Sequence, residues 1–481
     1  MFRPLWLALA LAAARAAAAT YSVSPAGSDS ASGAAGAPWK TLSHAAATLA
    51  PGDTALVADG TYREVLRPAR GGTAAAPITY QAVHPGLAVL DGSTVTNSSN
   101  RDLVFISYAD HVILDGFTIQ NAYRAGVRID ASNGVAIRRC RCLNNGTWGI
   151  FSDYSDDTLL EYNECAGSKA EHGVYLSNSG DRSIVRFNAA HDNHASGIQL
   201  NADPDEQDAS FGTAGDGITQ GAIITGNVCF NNGAAGGAAI NLASVRNSLI
   251  SNNLLYNNLA GGISGWDNGN GQPNPTQYGC KDNAIVNNTV YFRPGEGRWC
   301  VSLKNGSTNN AVVNNILAGG ARGAIEIDSD SSVVSDYNLL RSAAGDYAAT
   351  NEDIGPFWTR AQWQAATGND AHSLTADPLF LSPALAPFDF RVPAASPAVD
   401  AGTNRPDAPV DLDGRPRPQG ARWDLGAYEL PKALPGDFNG DGLLTAADAI
   451  LALRIAGGLQ TGGAAPIRLT DAVDSWKRAN L

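Results

Sequence analysis

The sequence of 481 residues is poor in positive charge, in methionine and in aromatic residues. Lysine plus arginine number 33 against 46 acidic residues, the net charge is −13, and six residues are lysine. A chain with this balance lacks the basic surface that binds nucleic acid or an anionic membrane. Charged residues make up 16% of the chain, which contains 52 glycines. This composition disfavours a bundle of long helices.

Long apolar runs are also scarce, and the single membrane-like stretch lies at the N-terminus. Residues 1–19 contain Arg3, then an apolar run over 5–14, then small residues before Thr20. This is the pattern of a secretory signal, and it is too short to span a bilayer. The sequence therefore predicts a signal peptide at 1–19 and a secreted or periplasmic protein without a membrane anchor.

The middle of the chain repeats a short pattern of apolar alternation followed by Asn or Gly turns. The repeat is anchored at Cys140, Asn163, Asn188, Asn227, Asn253, Asn288, Asn315 and Asn338. A period of this size marks a solenoid, and the units leave no room for a crossover helix. The pattern predicts an all-β fold, a right-handed parallel β-helix over about 80–345. Each anchor Asn is expected to be a left-handed turn residue whose amide hydrogen-bonds along the stack.

Two of the repeats carry long insertions. They lie within 188–227 and 253–288, and both leave the repeat after the same strand, following Leu200 and Gly265. Loops of this length inside a compact fold are usually functional. We expect them to emerge on one side of the solenoid and to wall a groove across the outward face of that strand.

The segments that flank the repeats differ from them in composition. Residues 41–49 form an amphipathic pattern with a Thr or Ser cap, which predicts a helix covering the first coil. The β-helix with this N-terminal cap is assigned to 20–345. Residues 346–430 lack the repeat, are rich in Pro, Asp and Trp, and are expected to be a C-terminal cap.

Several runs at both ends resemble known β-helix proteins. YSVSPAGSD at 21–29, PWKTL at 38–42 and GTYR at 60–63 resemble the opening of secreted right-handed β-helix proteins, a group that includes the family-nine pectate lyases. DPLF at 377–380, SPAVDAG at 396–402 and WDLGAYE at 423–429 resemble a terminal block of bacterial β-helix proteins. The resemblance implies the fold and a polysaccharide as the substrate, but one fold hosts many reactions.

A calcium loop is the sharpest motif of the chain. Its oxygen ligands are expected from Asp437, Asn439, Asp441, the Leu443 carbonyl and Asp448. With a helix expected over 447–456, the region 431–481 resembles a dockerin module that holds Ca²⁺. Residues 464–466 replace the second loop of a dockerin, so one site is expected. The resemblance implies a cohesin-type partner.

Period-two alternation selects the side chains that face outward beside the insertions. Tyr175 and Ala239 are expected outward, as are the candidate substrate-binding residues Gln199, Asn201, Asn241 and Trp266. Lys304 also faces outward and is a candidate catalytic base. His172 with Tyr175 is the other candidate base and acid pair.

Three functions fit such a surface. A lyase must neutralise a uronate carboxylate, remove the C5 proton and protonate the leaving oxygen. Calcium on the acidic residues at 203–208, or nearby cations, would supply the neutralisation. A glycoside hydrolase instead needs two carboxyls, for which Asp153, Asp203, Asp267 and Glu326 are available. The third possibility is a non-catalytic carbohydrate-binding or surface protein. The leading hypothesis is a monomeric, secreted lyase acting on a uronate-containing polysaccharide.

Six cysteines in a secreted chain suggest disulfides. Cys142 and Cys165 occupy one repeat column on adjacent coils, and Cys280 could close onto Cys300. Cys140 and Cys229 are left as free thiols. The sequence has no CxxC spacing, so a zinc site is not indicated.

Overall fold

The computed structural model describes residues 18–269, 272–341, 359–432, 436–438 and 446–456. Over 20–341 the chain winds into a right-handed parallel β-helix, as predicted. Stacking begins earlier than the expected residue 80, because Thr20–Val23 already pairs in parallel with Thr54–Val57. The first coils lack the Asn anchors that mark the later ones, so the repeat pattern alone did not reveal them.

Three long parallel sheets form the sides of the β-helix, and each coil contributes one short strand to a sheet. The twelve-stranded sheet consists of Thr20–Val23, Thr54–Val57, Ile78–Ala82, Val112–Asp115, Ala136–Arg138, Leu159–Glu161, Ile184–Arg186, Ile223–Thr225, Leu249–Ser251, Ala284–Val286, Asn310–Val313 and Val333–Asp336. The eleven-stranded sheet consists of Gly60–Tyr62, Ala88–Asp91, Phe117–Gln120, Arg141–Leu143, Glu164–Ala166, Ala189–His191, Val228–Phe230, Leu254–Tyr256, Thr289–Tyr291, Ile316–Ala318 and Leu339–Arg341. The nine-stranded sheet consists of Val104–Ser107, Ala125–Asp130, Trp148–Asp153, Val174–Ser177, Ile198–Asn201, Ala238–Ala243, Gly261–Trp266, Trp299–Leu303 and Gly323–Ile327. A two-stranded sheet pairs Thr219–Gln220 with Val245–Arg246.

The anchor asparagines form a buried ladder inside the turn between the twelve- and eleven-stranded sheets. The Asn227 Oδ1 accepts the Asn188 backbone N–H and side-chain amide, both at 3.0 Å. The Asn227 Nδ2 donates to the Val185 carbonyl at 2.8 Å. The predicted hydrogen bonding along the stack is therefore confirmed, and it satisfies backbone groups that the turn would otherwise leave unpaired.

The left-handed backbone conformation falls on the residue before each anchor, Cys140 or a ladder Asn, so that part of the prediction is wrong. Positive φ is found at Arg139, Tyr162, Phe187, Gly226, Asn252, Asn287, Asn314 and Tyr337. The ladder position must turn its side chain into the core, whereas the preceding residue points outward and makes the bend. Asn tolerates positive φ better than most residues, which explains the Asn-Asn pairs.

Residues 359–432 pack against the last coil and then along the side of the stack. The Leu340 N–H donates to the Leu374 carbonyl at 2.8 Å. Further on, the outward asparagines of the left-handed turn positions hold the returning chain, and the Asn314 Nδ2 donates to the Thr403 carbonyl at 2.7 Å. Within this segment Arg417 and Glu429 form an ion pair at 2.6 Å, and both side chains are inaccessible to solvent.

Helices are few in the described ranges. Helix α1, Leu42–Thr48, begins after Thr41, whose hydroxyl accepts the His44 N–H at 3.0 Å, and this confirms the helix predicted at 41–49. Helix α2 is Arg360–Thr367, and helix α3, Ala446–Ala456, matches the helix predicted at 447–456. The short 3₁₀ helices are Gly92–Thr94, Pro204–Glu206, Ala209–Gly215 and Pro275–Tyr278. None of the helices in these ranges is long and apolar enough to cross a membrane.

Neither expected disulfide forms, and all six cysteines are buried free thiols. Cys142 and Cys165 are register partners as predicted, but partnered side chains in a parallel sheet point the same way. The separation of the two side chains therefore stays near the strand spacing of about 4.8 Å, whereas the two Cβ atoms of a disulfide lie about 3.8 Å apart. The Cys280 Sγ instead lies 3.5 Å from the Leu242 and Trp266 carbonyls and makes no bridge to Cys300.

The C-terminal calcium loop lies mainly outside the described residues. Asn439, Asp441 and Leu443 fall there, as do most of the residues of the predicted signal peptide. Asp448, at the start of α3, accepts the Phe438 N–H at 2.9 Å, which joins the two ends of the loop. The calcium site and the dockerin-like assignment stay predictions.

Candidate functional site

The outward face of the nine-stranded sheet carries two parallel columns of polar and aromatic side chains. Strand register places one column along Phe105, Arg128, Phe151, Tyr175, Gln199, Asn241, Ser264, Ser302 and Glu326. The second column runs along Ser107, Asp130, Asp153, Ser177, Asn201, Ala243 and Trp266. Lys304 extends it, since its N–H donates to the Gly265 carbonyl at 2.8 Å.

Ala239 does not belong to this face, contrary to the alternation argument. It is fully buried in the apolar core. Its neighbour on the preceding coil is Gly197, where a Cβ would lie 3.3 Å from the Cys229 Cβ of the core. Two consecutive residues, Ala239 and Ile240, therefore pack inward, because the strand alternation is broken at its entry.

The two insertions emerge at the same end of these strands and contact each other. The first insertion follows Asn201, where its strand ends, and the second insertion follows Trp266. The Gln272 Nε2 of the second insertion donates to Asp205 Oδ1 of the first at 2.7 Å. Asn268 likewise donates to Asp203. The insertions thus form one continuous wall along the second column.

An open pocket of about 260 Å³ lies on this face at the last four strands of the sheet. Its lining includes three cationic side chains, two tryptophans, polar side chains and one carboxylate: Arg298, Lys304, Arg322, Trp266, Trp299, Asn241, Ser264, Ser302 and Glu326. The Trp266 Nε1 donates to Asn241 Oδ1 at 3.1 Å, and Asn241 Nδ2 donates to Gln199 Oε1 at 2.7 Å. Three predicted substrate-binding residues are therefore linked, although Gln199 itself is buried.

Glu326 organises the floor of this pocket. Its side chain is 1% exposed, and its Oε1 lies 2.8 Å from the Lys304 Nζ. The Ser302 hydroxyl donates to Glu326 Oε2 at 2.6 Å. A buried carboxylate requires such partners, so Glu326 keeps the Lys304 ammonium and the Ser302 hydroxyl beside it on the pocket floor.

His172 and Tyr175 adjoin one another, with ring centroids 5.1 Å apart, but their chemistry is weak. Burial lowers the pKa of His172 to about 4, so the ring is neutral at neutral pH. Its Nδ1 already accepts the Ser196 N–H at 3.0 Å. Burial raises the pKa of Tyr175 to about 12. Neither side chain is therefore poised to exchange a proton at neutral pH.

The two predicted catalytic groups are far apart. Tyr175 lies four strands from the coil of Lys304, which corresponds to about 19 Å at the strand spacing of a sheet. Asn201 belongs with Tyr175, because its Nδ2 lies 3.2 Å from the Tyr175 Oη and 2.7 Å from Asp203 Oδ1. The groove thus has two separate polar clusters, and the Lys304 cluster lines the open pocket described above.

The carboxyls proposed for a hydrolase are scattered. Asp153 contacts Arg128 at 2.9 Å, and burial raises its pKa to about 6. Asp203 is tied to Ser177 and Asn201. Glu326 is the one carboxylate among the described residues that line the Lys304 pocket. The same described ranges contain no group of three or more His, Cys, Asp or Glu side chains placed to hold a metal ion.

Sequence reasoning did not single out Arg298 and Arg322. They precede the paired residues Trp299 and Gly323, and the Arg322 N–H approaches the Arg298 carbonyl at 3.4 Å, so the two arginines occupy equivalent positions on successive coils. Both are exposed at the rim of the pocket. Their equal position before two consecutive strands of the repeat is the signal in the sequence that marks them as neighbours.

Comparison with known proteins supports the same architecture. Residues 21–172 match the family model described as Pel9A-like, right handed beta helix region. The uncharacterized protein YwoF of Bacillus subtilis (strain 168) is 35% identical over 100 residues, which is 21% of this chain and 21% of that protein. The match therefore spans about a fifth of the curated relative's length.

Solved structures extend the similarity along the chain. The crystal structure of pectate lyase Pel9A superposes with a TM-score of 0.55 at 16% identity and covers 85% of this chain and 96% of that chain. An alginate lyase from Paenibacillus sp. str. FPU-7 reaches a TM-score of 0.48 at 17% identity, over 66% of this chain and 97% of that chain. The protein is therefore a right-handed parallel β-helix whose first coils are similar to the Pel9A-like family.

Proposed function

We propose that this protein is a polysaccharide lyase that cleaves a uronate-containing polysaccharide by β-elimination in the Lys304 pocket. The observation that carries the proposal is the gathering of Lys304, Arg298 and Arg322 around one open pocket of a chain whose net charge is −13. Such a local cationic site in an acidic protein is suited to a carboxylate-bearing ligand. The name of the similar pectate lyase structure is consistent with this reaction.

The elimination requires three events at one sugar. A base takes the C5 proton, a double bond forms between C4 and C5, and the C4–O bond breaks as the leaving oxygen gains a proton. Arg298 and Arg322 would pair with the uronate carboxylate and stabilise the charge that develops on it. Lys304 Nζ would first give one proton of its ammonium group to Glu326 Oε1, 2.8 Å away, and then accept the C5 proton as the neutral amine, while water protonates the leaving oxygen. Trp266 offers an apolar surface for the sugar ring.

The position of Glu326 disfavours a hydrolase at the same pocket. Hydrolysis by paired carboxyls needs two such groups about 5–9.5 Å apart. Glu326 is a single, almost completely buried carboxylate already engaged by Lys304 and Ser302. A secreted location, a cohesin-type partner for the C-terminal module and Ca²⁺ at its loop belong to this proposal as further expectations from the sequence.

The proposal is tested with purified full-length protein on a panel of acidic and neutral polysaccharides. A lyase generates a product that absorbs in the ultraviolet because of its new double bond, whereas a hydrolase releases reducing ends without that absorbance. We expect the absorbing product from at least one uronate-containing polymer and its loss in Lys304→Met. Lys169→Met, at an exposed position away from the pocket, is the matched control. Binding without any product would instead favour a non-catalytic carbohydrate-binding protein.

A further inference from the structure

The groove over the nine-stranded sheet is electrostatically asymmetric along its length. Its last coils carry Lys304, Arg298 and Arg322 against Glu326 in the pocket and against Asp328, which follows Lys304 in the second column. The side chains beside the earlier coils are mainly acidic. A polysaccharide that lies along the stack places successive sugars over successive coils, because a sugar is about as long as the strand spacing. Each part of the groove therefore meets a different sugar of the same chain.

The acidic part is defined by residues from two strands and the first insertion, and we call it the acidic flank: Asp130, Asp153, Asp203, Asp205, Glu206 and Asp208. Arg128 offsets part of this charge, since it lies 2.9 Å from Asp153 and 3.5 Å from Asp130. Asp203 lies over the outward face itself, because the Ser177 hydroxyl and the Asn201 amide both donate to it. The flank therefore presents a net negative charge to whatever occupies these coils.

The flank begins a short distance from the pocket. Three strand spacings separate the coil of Asn201 from that of Lys304, which is about 14 Å. Charges interact strongly only within a Debye length of about 10 Å at 0.1 M salt. The flank thus acts less on a uronate at Lys304 than on a uronate carried by a sugar seated over Asn201 or the coils before it, although Asp203 reaches Asn268 beside the pocket.

We propose that the substrate is a heteropolysaccharide that alternates uronates with neutral sugars, so that a uronate bound at Lys304 puts a neutral sugar over Asn201, three coils away, and halves the number of carboxylates that meet the acidic flank. This inference rests on the proposed lyase function and specifies its substrate class. A polymer made only of uronates would place carboxylates against the acidic flank. The partly exposed ring of Tyr175, stacked on the buried Phe151 at 5.3 Å, offers an apolar surface to an uncharged sugar on these coils.

The test compares polymers at equal uronate concentration, in chelator and then with added Ca²⁺. Polygalacturonate and alginate represent homopolymers of uronates, while rhamnogalacturonan and hyaluronan represent polymers that alternate uronates with uncharged sugars. We expect ultraviolet-absorbing product from an alternating polymer at a rate at least about tenfold above either homopolymer at low salt. The preference should shrink as salt rises, because screening weakens the repulsion.

A charge-neutralising pair of substitutions tests the flank directly. Asp205→Asn with Asp208→Asn keeps the hydrogen-bond acceptors for Gln272 and Ser210 and removes two exposed charges. We expect kcat/KM on a homopolymer to rise about threefold to tenfold at low salt, with little change on the alternating polymer. Asp59→Asn with Asp407→Asn alters the net charge equally at exposed positions outside the groove. That control should leave both rates unchanged.

The outcomes separate the two proposals. Faster cleavage of a homopolymer in chelator, or no effect of the Asp205 and Asp208 substitutions, would overturn the substrate assignment while leaving the lyase intact. Homopolymer cleavage that requires Ca²⁺ and is lost in the double variant would also overturn it, since the flank would then be a cation-bridged binding surface. The absence of unsaturated product from every polymer would instead refute the lyase itself.

Discussion

Removing the Lys304 side chain should lower stability as well as activity, because it leaves the buried carboxylate of Glu326 without its counter-ion. The expectation from the sequence is that an outward lysine supports little packing. The structure shows instead that Nζ lies 2.8 Å from a carboxylate whose side chain is 1% exposed. Breaking a buried ion pair from one side costs roughly 3–5 kcal/mol, since the other charge stays buried. Lys304 is itself 30% exposed, so we expect Lys304→Met to cost about 2–3 kcal/mol.

A second variant separates stability from catalysis. In Lys304→Met with Glu326→Gln the buried charge is gone, and the Ser302 hydroxyl can still donate to the amide oxygen. We expect the double variant to recover most of the lost free energy of unfolding but none of the lyase activity. Urea unfolding measures the first quantity, and the ultraviolet assay measures the second. A double variant no more stable than Lys304→Met, or an active one, would refute this account of the pair.

Three further predictions concern other parts of the chain. Asn227→Ala should lower the free energy of unfolding by about 3 kcal/mol, because it leaves the Val185 carbonyl and ladder N–H groups buried and unpaired; a loss below about 1 kcal/mol in urea unfolding would count against the ladder. Burial lowers the pKa of His172 from 6.5 in the unfolded chain to about 4 in the folded protein. Between pH 6.5 and pH 4 the unfolded chain therefore binds more protons, and the free energy of unfolding falls as the pH drops. The wild type should therefore lose about 3 kcal/mol relative to His172→Asn from pH 6.5 to 4, and parallel stability curves would contradict the assignment. Asp441→Ala in the full chain should abolish the calcium binding seen by calorimetry, and unchanged uptake would exclude the predicted loop.

The architecture was largely readable from the sequence because a β-helix is built from local repeats. Each coil uses its own apolar alternation, and neighbouring coils share anchors such as Asn188 and Asn227, so strand register follows from aligning the repeats. The insertions after Asn201 and Trp266 were visible for the same reason, as gaps in a regular spacing. Alternation placed Tyr175 and Lys304 outward correctly and failed at Ala239, where two consecutive residues pack inward.

What the sequence by itself determined is the coil and the order in which coils stack, since both depend on contacts between positions at a nearly constant separation. The tertiary structure alone decided which outward groups share a site. Lys304 and Glu326 are 22 residues apart yet adjacent, whereas Tyr175 and Lys304 share a face and lie about 19 Å apart. The tertiary structure also decided the protonation state of His172, because the burial that lowers its pKa depends on the residues packed around the ring. Chemistry at this groove depends on such distances and on desolvation, which no pattern along the chain specifies.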